Sequence, residues 1–236
     1  EMPSATLATL PQCQARVAAV KAFRASSKSA PTQKLADTPR RFHVECMPQA
    51  SYLVVPEVSS EKRRFLPMGF MGPEILSSNL LRIVPDATLY HFGVLSSSLH
   101  NAWMRCVAGR LESRYRYSIH IVYNNFPWPV QVTAKRQAAI EAAAQRVLDA
   151  RATEMARDER TTLAMLYHPT TMPDALALAH RALDQVVDAA YGYQGGKDDA
   201  SRVAYLFGLY QQLTAPLAPA PAPTARRKRA PGAANS

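Results

Sequence analysis

The sequence predicts an α+β half followed by an all-α half, and three observations carry that expectation. Composition changes at Val122 to Val130, the stretch VYNNFPWPV. Ahead of it, short apolar runs rich in Val, Ile, Tyr and Phe are cut by Pro, Gly, Ser and Asn, the pattern of strands and turns. Behind it, alanine-rich stretches repeat apolar residues three and four apart, the spacing of helices. A chain of 236 residues has room for one large domain or two modest ones.

In the first half, a helix is expected near Pro11 to Ala25, with Val17, Val20 and Phe23 on its apolar side. A Ser/Lys/Thr/Pro-rich linker follows to about Arg41. Strands are expected at Phe42 to Met47, Tyr52 to Val55, Phe65 to Phe70, Leu80 to Val84 and Thr88 to Phe92. One helix interrupts them, capped by Ser96-Ser97-Ser98, with Leu99, Trp103, Cys106 and Val107 on one face and Gly109 closing it.

The second half reads more plainly. Thr133 caps a helix whose apolar positions are Ile140, Ala144, Val147, Leu148, Met155 and the stem of Arg151. Leu163 to Tyr167 is a short helical turn ended by His168-Pro169. Thr171-x-x-Asp174, with Pro173 in the first turn, has the form of a capping box. The helix after it carries Leu176, Leu183, Val186, Val187 and Ala190 on one face, and Gly192 and Gly195-Gly196 end it. Asp198 or Asp199 caps a last helix striped by Val203, Leu206, Phe207, Tyr210 and Leu213. These helices form a small bundle. The Pro/Ala-rich remainder with its basic cluster Arg226 to Arg229 lacks the apolar residues to fold and reads as a disordered tail.

Charge is uneven along the chain. Of the net +10, residues 1–129 supply +7, residues 130–213 supply −1 and residues 214–236 supply +4. A basic first half beside a neutral second half points to a polyanionic partner for the first; compositional drift would give the same count. The three cysteines, Cys13, Cys46 and Cys106, are odd in number and far apart, which suits a reducing cytoplasm and implies no disulfide or zinc framework. His43-x-x-Cys46 is half of a metal spacing without its second half. No apolar run approaches the roughly 18 residues of a membrane span, and no signal peptide opens the chain. The opening Glu1-Met2 suggests a piece of a longer polypeptide.

No catalytic constellation stands out. A methyl transferase using S-adenosylmethionine needs a glycine-rich turn, and the nine glycines form no G-x-G pattern. VYNNFPWPV is like the Asn-Pro-Pro-Tyr turn with which amino-group DNA methyltransferases grip a flipped-out base in composition only, because an aromatic residue follows the Asn pair where that turn needs proline. There is no G-x-S-x-G elbow, P-loop or H-E-x-x-H. Glu45 and Glu61-Lys62 are the nearest approach to a nuclease motif and lack a second acidic partner.

Groups able to grip nucleic acid are better placed. SSEKRRF, from Ser59 to Phe65, sets three consecutive cations beside two hydroxyls at an expected turn between strands. RLESRYRYS, from Arg110 to Ser118, alternates Arg114 and Arg116 with Tyr115 and Tyr117, so an extended segment sends arginines to one face and tyrosines to the other. A solvated basic edge that keeps strands from pairing with other chains accounts for both stretches equally well.

Several long stretches then occur in a familiar order: PEVSSEKRRFLPMGF (Pro56 to Phe70), FGVLSSSLHNAWMRCVAGRLESRYRYS (Phe92 to Ser118), VYNNFPWP (Val122 to Pro129) and AAYGYQGGKDDASRVAYLFGLYQQL (Ala189 to Leu213). Together they resemble the C-terminal part of the MmeI-like (type IIL) DNA methyltransferases and restriction-modification enzymes, over nearly the whole chain apart from the basic tail. The resemblance implies a mixed-strand target recognition domain at 42–129, preceded by a helix and linker at 1–41. A C-terminal helical domain at 130–213 and the tail at 214–236 follow. It implies double-stranded DNA as partner and an adenine-N6 methyltransferase domain upstream in the same polypeptide. That domain would use S-adenosylmethionine, with no cofactor held by this part. It supports Ser59, Ser60, Glu61, Arg63 and Arg64, and Arg114, Arg116, Tyr117 and Ser118, as part of the DNA face, to which the two basic stretches add Lys62 and Arg110. NNFPWP becomes the exit from the recognition domain, with Trp128 packed between the two domains. Ile119-His120 departs from the short polar residues that follow the Tyr-Arg run in relatives. Two other readings stay open: a protein-interaction module built on the helical half, and a self-contained methyltransferase or nuclease with an atypical site.

Overall fold

A computed structural model describes residues 3–42, 45 and 47–215. The chain begins with helices α1 (Ser4–Ala8), α2 (Pro11–Ala25) and α3 (Ala30–Lys34), followed by a 3₁₀ turn at Leu35–Asp37. The helix at Pro11–Ala25 is where the apolar spacing put it, but its apolar side is not covered: Phe23 is 74% exposed. Half of the expected linker is helical. Arg24 explains why, since its guanidinium donates to the carbonyls of Leu35, Thr38 and Arg41 at 3.0, 2.8 and 2.6 Å and draws the segment back onto α2. The strand expected at 42–47, with His43 and Cys46, falls largely outside the described residues.

Two three-stranded antiparallel sheets follow. Strand β1 (Tyr52–Pro56) lies between β3 (Gly69–Met71) and β4 (Leu81–Val84) in the first. Its residues Tyr52 to Val55 are all buried, as befits a central strand covered on both faces. After Glu57 the chain enters β2 (Val58–Ser59), which belongs to the second sheet with β5 (Gly109–Leu111) and β6 (Arg114–Arg116), in the order β2-β6-β5.

Two expected strands fail. Thr88 to Phe92 is not extended: helix α4 runs from Leu89 to Ser96 with Thr88 as its cap, whose backbone N–H donates to Nδ1 of His91 at 3.1 Å. The aromatic and branched residues there favour a strand only weakly, and packing against the helices overrides that preference. In Phe65 to Phe70 only the last two residues reach β3. The backbone N–H of Leu66 is taken by Oδ1 of Asn101 at 2.9 Å, which diverts the segment from a ladder.

Helix α5 (Ser98–Val107) is as expected, with Ser97 as cap, although Cys106 is exposed. A π-helical turn occupies Ile119–Tyr123, capped by Ser118. The helical part then comprises α6 (Ala134–Arg157), α7 (Leu163–Leu166), α8 (Asp174–Tyr191) and α9 (Asp199–Thr214). Thr133, Gly192 (φ +68°) and Asp198 cap and close these helices where the sequence put them. The capping box at Thr171 does not form. Pro173 is the cap residue, and the Thr171 hydroxyl donates instead to the carbonyl of Met165 at 2.8 Å. No described helix is long and apolar enough to cross a membrane.

The core is continuous across residue 130. Helices α6 and α8 pack on each other and on α4, while α9 packs on α5. Helices α6, α8 and α9 therefore share one core with α4 and α5 of the first half. Gly93 in α4 permits the closest approach: an added Cβ would come within 2.6 Å of the Ile140 γ2 methyl.

Candidate nucleic-acid interface

The second sheet projects a hairpin. β5 and β6 pair from Gly109↔Arg116 to Leu111↔Arg114, closed by Glu112-Ser113. Glu112 takes φ +57°, the sign that the first residue of such a two-residue turn must adopt to match strand twist. Arg114 and Arg116 are exposed and Tyr115 is buried, so the expected alternation holds along β6. Each arginine is held. The Arg110 guanidinium lies 3.8 Å over the Tyr115 ring and donates to the Ser113 carbonyl at 2.8 Å. Arg114 pairs with Glu112 at 2.7 Å, and Arg116 Nε donates to Glu57 at 2.8 Å.

The loop after β2 stands beside this hairpin. β2 pairs with β6 through Val58↔Arg116 and Ser59↔Tyr115, so the chain leaves the sheet next to the hairpin. Glu61 then lies near Ser113 and Arg110. A hydrogen bond from its own backbone N–H holds its carboxyl below the usual range, with Ser113, Lys62 and Arg110 adding to that effect. The three cations of the loop diverge. Lys62 is exposed, and Arg63 is half-buried in a groove with Glu154, Met165 and His168. The Arg64 guanidinium lies 5.2 Å over the Phe65 ring while its carbonyl accepts from Arg105 at 2.8 Å.

Two candidates from the sequence do not face solvent. Ser59 is 3% exposed, and Tyr117 is 2% exposed with its hydroxyl donating to Nε2 of His100 at 3.0 Å. His100 Nδ1 donates in turn to the Leu95 carbonyl at 2.8 Å, and complete burial pushes the His100 ring down to about 3. Tyr117 is thus an anchor for the end of β6. Period-two alternation continues through Tyr117, buried like Tyr115 on the face opposite Arg114 and Arg116, and ends where the chain enters the π-helical turn capped by Ser118.

The far end of the loop is anchored by residues that sequence reasoning did not connect. Phe65 stacks on His180 of α8 with ring centroids 4.0 Å apart. Tyr167 sits edge-on to His180, its hydroxyl 2.8 Å from Nε2. Arg151 donates to that hydroxyl and, at 2.6 Å, to the Met68 carbonyl. Because the Tyr167 oxygen accepts from Arg151, its proton goes to Nε2, which leaves His180 neutral with its proton on Nδ1. Burial first, then the nearby Arg151 and Arg64 charges, push His180 down to about 3. Arg151 therefore buries its whole guanidinium, not only its stem; helical spacing marked the position but gave no sign of its partners. Trp128 packs against the core that both halves share. Its ring neighbours are Tyr90, His91, Tyr123 and Phe126 of the first half, while the adjacent Pro127 carbonyl and Phe126 ring meet Tyr191 of α8.

Residues 2–130 match the family model of the MmeI target recognition domain, and residues 132–218 match that of the MmeI C-terminal domain. The chain belongs to the MmeI family. The two matches meet just past NNFPWP. DNA methyltransferase A of Bacillus subtilis (strain 168) is 40% identical over 204 residues, which are 86% of this chain and 22% of that protein. The solved structure of the type IIL restriction-modification enzyme MmeI in complex with DNA superposes with a TM-score of 0.84 at 44% identity, over 90% of this chain and 28% of that one. The chain thus spans about a quarter of the length of these relatives.

Proposed function

We propose that this chain is the DNA-recognition part of a site-specific adenine-N6 DNA methyltransferase of a restriction-modification system. Residues 42–129 read the duplex and residues 130–213 brace them. Base flipping and methyl transfer from S-adenosylmethionine belong to a methyltransferase domain of the same polypeptide. One observation carries this reading. The β5–β6 hairpin and the adjoining loop put Arg110, Arg114, Arg116 and Lys62 on one projecting ribbon, in a chain 44% identical to a protein solved with DNA. A two-stranded ribbon fits the major groove, where base edges carry a unique pattern of donors and acceptors. Glu61 beside Ser113 and Arg110, the neighbouring Ser60, and Ser118 at the base of the hairpin would supply an acceptor and hydroxyls. Arg63 and Arg64 sit further along the loop, toward the helices. Ser59 and Tyr117 act from beneath, as supports.

The test is fluorescence anisotropy of the chain with a random-sequence duplex at about 50 and about 200 mM salt, with and without S-adenosylmethionine. Salt-sensitive binding that ignores the cofactor is expected. No binding at low salt, or a response to the cofactor, would overturn the reading.

A further inference from the structure

We infer that Glu57, Arg82 and Arg116 form a seat for one phosphodiester group of a DNA duplex, a site that rests on the recognition reading above. Glu57 lies where the chain passes from the first sheet to the second, and it is 6% exposed. Its backbone is fixed on both sides, with its N–H donating to the Leu80 carbonyl at 2.8 Å and its carbonyl accepting from Tyr117 at 2.6 Å. Its carboxylate joins the two sheets. One oxygen accepts from Arg82 of β4 at 2.5 Å and the other from Arg116 of β6 at 2.8 Å. Arg82 belongs to neither basic motif of the sequence; the pairing of β4 with β1 and the shared carboxylate bring it beside Arg116.

The three residues, with Gly109, Ser118 and His120, line a recess of about 340 Å³ at the base of the hairpin. Two guanidinium groups against one carboxylate leave a formal excess of one positive charge. Both carboxylate oxygens are engaged by arginine, so the recess presents donors: the further N–H groups of both forks and the Ser118 hydroxyl. Arg82 Nε is buried without a hydrogen-bond partner among the described residues. A planar guanidinium fork matches the spacing of phosphate oxygens.

The shape of the site separates a phosphate from a base. Base edges lie at the floor of a groove roughly 8.5 Å deep, so a side chain must project to reach them. Phosphates ride on the rim of the duplex and can enter a recess. Protruding Arg114 and Lys62 would then address the groove, while the recess fixes the register of the ribbon against the backbone.

The test compares wild type, Arg82→Gln and Arg82→Lys by anisotropy titration over a series of salt concentrations, against random-sequence duplex and a panel of defined sequences. Gln keeps a donor for Glu57 but removes the charge, and a thermal melt of each variant checks the fold. Arg82→Gln is expected to lower the slope of log affinity against log salt by about one unit, equally for every sequence, and Arg82→Lys to restore it. An unchanged slope and affinity in Arg82→Gln would remove the recess from the DNA path. A changed sequence preference at constant slope would make Arg82 a base contact and overturn the phosphate seat. Wild type that binds no duplex would sink the recognition reading itself, and this inference with it.

Discussion

Asp184 of α8 grips Ser98 of α5 through both carboxylate oxygens, one accepting the backbone N–H and the other the hydroxyl, each at 2.6 Å. The two residues are 86 apart in sequence. The carboxylate sits at the positive end of α5, where a negative charge is favoured. Burial raises its carboxyl above the usual range, against the opposing pull of Ser98, Arg202 and Arg64. This contact, with the Phe65–His180 stack, fastens the second half of the chain to the part that carries the basic ribbon.

Asp184→Ala should therefore destabilise the whole chain by about 2–3 kcal/mol, the cost of removing a charged, buried acceptor from two donors. Asp184→Asn keeps one acceptor and should lose about half as much. Urea unfolding followed by circular dichroism measures both. A single transition shifted to lower urea is expected, because the core is continuous. Loss of the helical signal in a separate step would show that the contact does not couple the halves.

Gly93→Ala poses a conflict between propensity and space. Alanine is the better helix former by about 1 kcal/mol. Its Cβ would meet the Ile140 γ2 methyl at 2.6 Å, with Ala144 and Leu183 at 3.3 and 3.4 Å. The Ile140 branch is stiff, so α4 must move away from α6 and α8. Overpacking should win, with a net loss of about 1–2 kcal/mol in thermal or urea unfolding. A gain in stability would mean that α4 is not seated as described.

Stability should fall on acidification. His100 and His180 are both held near 3 in the folded chain, against about 6.5 in an unfolded one. Between these values the unfolded state binds the extra protons. The stabilisation is complete above pH 6.5 or so and is lost progressively as pH falls toward 3. Each histidine contributes a slope of about 1.4 kcal/mol per pH unit in that window. Urea midpoints from pH 7 to pH 4 measure the fall, and His100→Gln or His180→Gln should flatten it relative to wild type. A flat profile in wild type would mean that these rings titrate normally.

On the ribbon, Lys62→Ala and Arg114→Ala should each weaken binding to DNA without affecting the melting temperature, since both side chains are exposed. A phosphate contact would lower the salt slope by about one unit per residue, whereas a base contact would relax preference at one position of the recognised site by about 1–3 kcal/mol. Unchanged binding in the double variant would take the hairpin and loop off the interface.

The sequence by itself determined the local elements that depend on local forces. Thr133, Ser97, Asp198 and Gly192 sit at helix ends because capping acts within one turn. Arg114 and Arg116 share a face because strand geometry alternates. The long motifs located both family matches. What only tertiary structure decided depends on partners distant in the chain. Thr88 to Phe92 is a helix because α6 and α8 cover it, and Phe65 leaves the ladder because His180 and Asn101 hold that segment. Alternation sends Tyr117 inward but does not name the histidine that it meets there, and Arg151 buried its charge because Tyr167 and the Met68 carbonyl were there to accept it. Arg82 joined the basic face through Glu57, across two sheets whose order no local pattern encodes. Capping and periodicity are short-range and legible along the chain; the pairing of buried polar groups is a property of the folded interior, set only when distant residues meet.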